Sequence, residues 1–157
     1  MTTRSTEHAT FAIERVYDAE PARVFAAWAD PVAKAVWFGG PSDGNTAYEL
    51  DFRVGGREIN KGGEPGGPVY TYDAVYRDIA QDERIVYTYD MYLDDARISV
   101  SVTTVELAAE GTGTRLTFTE HGVFLDGLDS PALREQGTGM LLDGLGSALR
   151  GEPVAGW

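Results

Sequence analysis

Between residues 10 and 17 apolar and polar positions alternate. Phe11, Ile13 and Tyr17 share one side and Glu14 lies on the other, with Arg15 interrupting the apolar side, so the segment predicts a strand. Behind Glu20-Pro21 the spacing changes to that of a helix: Val24, Phe25 and Trp28 form one apolar stripe. Asp30-Pro31 repeats the start signal for a second short helix that ends near Trp37-Phe38-Gly39-Gly40. Alternation then returns and predicts six strands, at residues 46–52, 57–61, 69–79, 84–91, 97–107 and 114–121. Gly55-Gly56, the run 62–68 and Glu110-Gly111-Thr112-Gly113 punctuate them, and strands joined so closely are expected to be antiparallel neighbours. Within 97–107, Ile98, Val100 and Val102 fall on one parity and Val105 and Leu107 on the other. A bulge is therefore expected near Thr103-Thr104.

Ser130-Pro131-Ala132 opens a last helix reaching about Leu149, with Leu141, Leu142, Leu145, Ala148 and Leu149 at three- and four-residue spacings. Gly137, Gly139, Gly144 and Gly146 each weaken it by up to ~1 kcal/mol relative to Ala, so packing has to hold it. With 157 residues the chain fits one domain. Residues 1–8 and 151–157 are expected as flexible tails.

The order strand, two short helices, six strands and a long helix is that of the helix-grip fold: an α+β domain whose curved antiparallel sheet of about seven strands wraps around the C-terminal helix. Four local strings sharpen the match. They are Ala22-Arg23-Val24-Phe25-Ala26-Ala27-Trp28-Ala29-Asp30-Pro31 through Trp37-Phe38; Asp51-Phe52-Arg53-Val54-Gly55-Gly56-Arg57; Asp82-Glu83-Arg84-Ile85-Val86-Tyr87-Thr88; and Gly113-Thr114-Arg115-Leu116-Thr117. In order and spacing the chain resembles the bacterial homologues of the heat-shock-protein-ninety ATPase activator, within the START-like (SRPBCC) superfamily, over about residues 9–150. The resemblance implies that fold and a hydrophobic ligand cavity. It implies no single reaction, because the superfamily holds binders, cyclases, antibiotic-sequestering proteins and co-chaperones. Family members usually carry Gly-Trp early in the last helix where this chain has Gly137-Thr138, which implies a differently shaped interior.

Charge narrows the partners. Lys plus Arg number 13 against 25 Asp plus Glu, a formal −12, which repels nucleic acid and anionic membrane surfaces. Cysteine is absent, which excludes disulfides, thiolate catalysis and Cys-ligated metal. The first ten residues lack a signal-peptide run and no stretch approaches the ~20 apolar residues that span a bilayer, so a cytoplasmic location is expected. The two histidines, His8 and His121, form no ligand pair, and the glycine strings lack the Lys-Ser/Thr of a phosphate loop. Neither metal nor cofactor is expected.

A strongly bent sheet separates from a helix at one end and leaves an apolar space between them. Its expected lining is Trp37, Phe38, Tyr48, Phe52, Tyr72, Tyr76, Tyr87, Tyr89, Met91, Val100, Val102, Phe118, Glu120, Leu141 and Leu145, with tyrosines that pair an apolar ring with a polar tip. Trp37 and Phe38 read either as a lid or as ordinary packing of a helix end. Glu120 shares a strand face with Leu116 and Phe118 and reads either as solvated, where the strand has left the core, or as buried, in which case its pKa would rise and suit it to acid or base work. Arg53 and Arg57 read as strand-end residues or as guides for an anionic group, and Asp94-Asp95 as a turn. Three functions fit. The first is non-covalent binding of a small hydrophobic or aromatic molecule. The second is a cyclase- or hydratase-type enzyme using Glu120 or an inward Tyr, favoured if a tyrosine hydroxyl reaches Glu120. The third is a co-chaperone-like role with a protein partner, or a homodimer, through an exposed sheet face or edge.

Overall fold

The computed structural model describes residues 3–39 and 47–154. Along the chain β1 (Thr6–Tyr17) leads into α1 (Pro21–Ala29) and α2 (Pro31–Trp37). Then follow β2 (Ala47–Leu50), β3 (Arg57–Gly62), β4 (Tyr70–Ala80), β5 (Arg84–Leu93), β6 (Ala96–Glu110), β7 (Gly113–Leu125) and α3 (Pro131–Leu149). All seven strands form one antiparallel curved sheet in the order β1-β7-β6-β5-β4-β3-β2. β1 and β2 are thus opposite edges, and the two short helices carry the chain from one to the other. The fold is the α+β helix-grip arrangement.

Two of the helices, α2 and α3, start at a side-chain cap, while α1 relies on Pro21 at its first turn. The Asp30 backbone N–H closes α1 on Ala26 O at 2.9 Å, while its Oδ1 accepts from Val32 N at 3.0 Å and opens α2. Ser130 Oγ accepts from Leu133 N at the start of α3. α3 is tied to the sheet through Tyr17, whose hydroxyl donates to Leu142 O at 2.8 Å. Gly146 allows that approach: a Cβ there would sit 3.3 Å from the Tyr17 ring. The core gathers on the concave side, where Trp28 meets Trp37 edge-on at 4.7 Å and Phe118 at 6.4 Å.

Residues 6–8, expected in a tail, are strand, with His8 opposite Val123 of an extended β7. The bulge expected at Thr103-Thr104 is not there. β6 keeps one parity from Ser99 through Ser101, Thr103 and Val105 to Leu107, all buried. The pairing with β5 slips instead between Met91 and Tyr92, opposite Ser99 and Arg97. A second slip lies at Arg77, between Tyr76 and Asp78. Val100 and Val102 therefore lie on the convex face, 38% and 43% exposed, and their assignment to the lining is corrected. Strand parity carries no instruction about which face is wet, and here the inward face is the hydroxyl-bearing one. Of the strand expected at 46–52, Thr46 lies outside the described residues, as does Gly40 of the expected second helix end.

Candidate functional site

Antiparallel register sets inward residues side by side across the concave face. One rung reads Tyr76, Tyr87, Thr103, Glu120 and Phe11, and the next Glu58, Ala74, Tyr89, Ser101 and Gly122. A third reads Asn60, Tyr72, Met91, Ser99 and Phe124. The floor under the helices is thus polar in its middle and aromatic throughout. Gly122 keeps it open beside Ser101, since a Cβ there would lie 3.0 Å from the Phe124 ring and 3.2 Å from Ser101 Oγ.

Two buried ionic clusters stand on this floor. In the first, Lys34 reaches in from α2 and donates to Glu58 Oε1 at 2.6 Å; both side chains are fully buried. Tyr76 donates to the same oxygen at 2.7 Å and Tyr48 to the other at 2.8 Å. Lys34 Nζ lies 4.2 Å from the Phe38 ring centre and 5.2 Å from that of Trp28. Burial lowers the Lys34 pKa, with Glu58 pulling the other way. Burial, and then Glu58, raises those of Tyr48 and Tyr76, so both hydroxyls stay protonated donors.

In the second cluster Glu120 is 1% exposed. It accepts from the Tyr89 hydroxyl at 2.8 and 2.9 Å and from Thr103 at 3.2 Å. Arg134, one turn into α3, donates to Tyr89 OH at 2.9 Å, to Ser99 at 2.8 Å and to Asp129 at 2.6 Å, and stands 3.5 Å from Glu120 Oε2. Burial raises the Glu120 pKa, opposed by Arg134, Tyr89, Thr103 and Ser101. Burial works to lower the Arg134 pKa, but Tyr89, Glu120 and Asp129 outweigh it and the group ends raised. The hydroxyls of Ser101 and Tyr72 are buried beside Glu120 and Tyr87, close enough to act on their titration but without a well-formed hydrogen bond.

Of the expected lining, Trp37, Phe38, Tyr72, Tyr76, Tyr87, Tyr89, Phe118, Glu120 and Leu145 are buried together, with Tyr48, Phe52, Met91 and Leu141 half-buried against them. Trp37 and Phe38 are packed in the core, the former donating to Ala27 O at 3.0 Å. Ring contacts such as Phe38–Tyr72 at 5.1 Å and Tyr72–Tyr89 at 4.7 Å fill much of the concave side. The two pockets described lie elsewhere. One is a groove of about 490 Å³ between β1 and α3, the other a site of about 350 Å³ around Asp51, Arg53 and Arg57. Arg53 and Arg57 are neutralised by Asp51 and Asp73 on the surface. Asp94 serves the turn, with φ 52° and its carboxylate on Val69 N.

Lys34, Glu58 and Arg134 escaped the sequence reading, and so did Ser99, Ser101 and Thr103. Lys34 is legible in retrospect, because it lies one helical turn before Trp37 on the same face. The serines and threonine follow from carrying the parity of Val105 and Leu107 backward without a break.

Among the described residues no helix is long and apolar enough to cross a membrane. No curated protein matches the chain in sequence. Solved structures do. A protein of Rhizobium leguminosarum is 47% identical, with a TM-score of 0.91 over 96% of this chain and 100% of that one. A protein of Rhizobium loti is 46% identical, with a TM-score of 0.87 over 92% and 99%. A protein of Chromobacterium violaceum is 26% identical, with a TM-score of 0.70 over 88% and 94%. The family model described as "Activator of Hsp90 ATPase homolog 1-like protein" matches residues 18–150. With nearly the whole fold inside that match, from α1 to the end of α3, the chain belongs to the Activator of Hsp90 ATPase homolog 1-like family.

Proposed function

We propose that the chain binds a small, largely apolar or aromatic molecule between the concave sheet face and α3, with its polar end at the Glu120–Tyr89–Arg134 cluster. The observation that carries this reading is the pair of buried hydroxyls, Tyr72 and Ser101, that lack a well-formed hydrogen bond beside the bonded Glu120–Tyr89–Arg134 cluster. Each such group costs about 1–3 kcal/mol, and a guest able to bond both would recover that cost. The surrounding rings supply apolar area, and apolar burial gives affinity at roughly 25 cal/mol per Å². Entry requires the Phe38–Tyr72–Tyr89 ring stack to part, exchanging ring–ring contact for ring–guest contact.

Native mass spectrometry of protein from its own host tests the reading. A small molecule should travel with the folded chain, and Tyr72→Phe with Ser101→Ala should lose it while circular dichroism stays unchanged. Retention that is the same in the double variant would sink the assignment. One observation favours a second reading, acid–base catalysis: the Tyr89 hydroxyl lies at 2.8 Å from a buried carboxylate whose pKa is raised. If that reading holds, Glu120→Gln abolishes turnover of the retained molecule; an unaffected rate leaves binding alone.

A further inference from the structure

The charges at the concave face say which polar end a guest carries, an inference that rests on the binding site proposed above. Two cations are held there, and neither is spare. Lys34 is matched by Glu58 at 2.6 Å. Arg134 stands between two carboxylates, Asp129 at 2.6 Å and Glu120 at 3.5 Å. With Glu120 ionised the second cluster holds one negative charge in excess; with Glu120 protonated it is balanced. In neither state does it offer an unmatched positive charge.

The hydrogen-bond capacity still unused points the same way. Three of the five Arg134 N–H donors are engaged, with Tyr89, Ser99 and Asp129, and a fourth points toward Glu120 Oε2 at 3.5 Å. The Tyr89 hydroxyl donates to Glu120 and accepts from Arg134. What is left is mostly acceptor capacity, the carboxylate lone pairs on Glu120 and the under-bonded hydroxyl oxygens of Tyr72 and Ser101, beside the Nε–H of an arginine whose charge is already matched. The flanking walls are aromatic faces, which attract cations, and the cluster already shows the preference: the Arg134 guanidinium lies 5.5 Å from the Tyr89 ring centre and 5.1 Å from that of Phe124. A formal charge of −12 on the whole chain adds a field that repels anions. A carboxylate or phosphate brought here would be a buried charge with no unmatched cation to balance it, a costly mismatch.

We infer that the molecule this site takes ends in a neutral hydrogen-bond donor or a protonated amine, not in a carboxylate or phosphate. It is an aromatic or alicyclic alcohol, amide or amine rather than a fatty acid.

Three probes of matched shape test it by isothermal titration at neutral pH: 2-naphthylmethylamine, 2-naphthalenemethanol and 2-naphthoate. The amine and the alcohol should bind at least ten-fold more tightly than the carboxylate. Asp129→Asn combined with Glu120→Gln leaves Arg134 as the only charge of its cluster, and the order should reverse in favour of 2-naphthoate. Thermal melts confirm that the variant is folded, and the wild-type series stands without it. Naphthoate binding as tightly as the other two, in wild-type protein, overturns the inference while leaving the site in place. Binding of none of the three overturns the site and the inference together.

Discussion

Replacing Lys34 by Met removes one half of an ion pair that has no access to water. The Glu58 carboxylate then stays at zero exposure with two tyrosine hydroxyls as its only donors. Breaking a buried pair in this way costs about 3–5 kcal/mol, because the surviving charge keeps its desolvation penalty. Unfolding entropy runs at about 2.1 cal/mol/K per residue, so 157 residues give about 0.33 kcal/mol/K and the midpoint should fall by about 9–15 °C. The partner change Glu58→Gln, made on top of Lys34→Met, removes the second charge but keeps an oxygen for Tyr76 and a donor for Tyr48. That double variant should be more stable than Lys34→Met alone by about 2 kcal/mol or more, since a well-bonded neutral pair is often no worse than a buried ionic one. Urea titrations followed by circular dichroism on the four proteins of the cycle give the coupling directly. A single variant within about 1 kcal/mol of wild type, or a double variant no better than the single, would refute the reasoning.

Glu120 makes a pH-dependent contribution. Its folded pKa is raised above the ordinary 4.5, so the native chain holds that proton more tightly than the unfolded one. Its contribution to stability is therefore greatest below pH 4.5 and declines as pH rises from there to the raised value. The unfolding free energy of wild type minus that of Glu120→Gln should fall across this interval in urea titrations, and a rise would contradict the assignment. Val100→Thr and Val102→Thr, on the exposed face, should each change stability by no more than about 0.5 kcal/mol. Thr103→Val, which removes a hydroxyl that donates to Glu120, should cost about 1 kcal/mol; thermal melts that rank these in the opposite order would show the β6 faces to be inverted. Gly56→Ala places a Cβ 2.0 Å from the Asp51 carbonyl oxygen, and since backbone cannot yield cheaply the loss should exceed about 2 kcal/mol. Melting within a degree of wild type would count against that packing.

The architecture could be read from the chain because its signals were local. Proline at the first helical turn with Asp30 or Ser130 before it, glycine between alternating runs, and the change of period at Glu20-Pro21 each fix one element from neighbouring residues. The candidate site was legible only where inward groups were aromatic. Tyr72, Tyr76, Tyr87 and Tyr89 lie inside, as their alternation implied, and Glu120 takes the buried one of its two readings because β7 stays in the sheet through Leu125. Val100 and Val102 misled because apolarity was taken as the mark of the inner face. Serine and threonine occupy that face at Ser99 and Thr103 because Arg134 and Glu120 need hydroxyl partners there, and those two charges come from a helix and from another strand far along the chain. Lys34 in α2 and Glu58 in β3 are separated by the whole of β2 and its turn, so no local pattern marks them as a pair.

Asp30 belongs to two helices at once and leaves no slack at their corner. A single residue added between it and Lys34 would turn the rest of α2 through about 100° about its own axis. The ammonium would swing off Glu58, and Trp37 would leave Trp28. Length at this elbow is therefore fixed by distant partners rather than by the elbow itself, and relatives that keep the lysine–glutamate pair should show neither insertion nor deletion there.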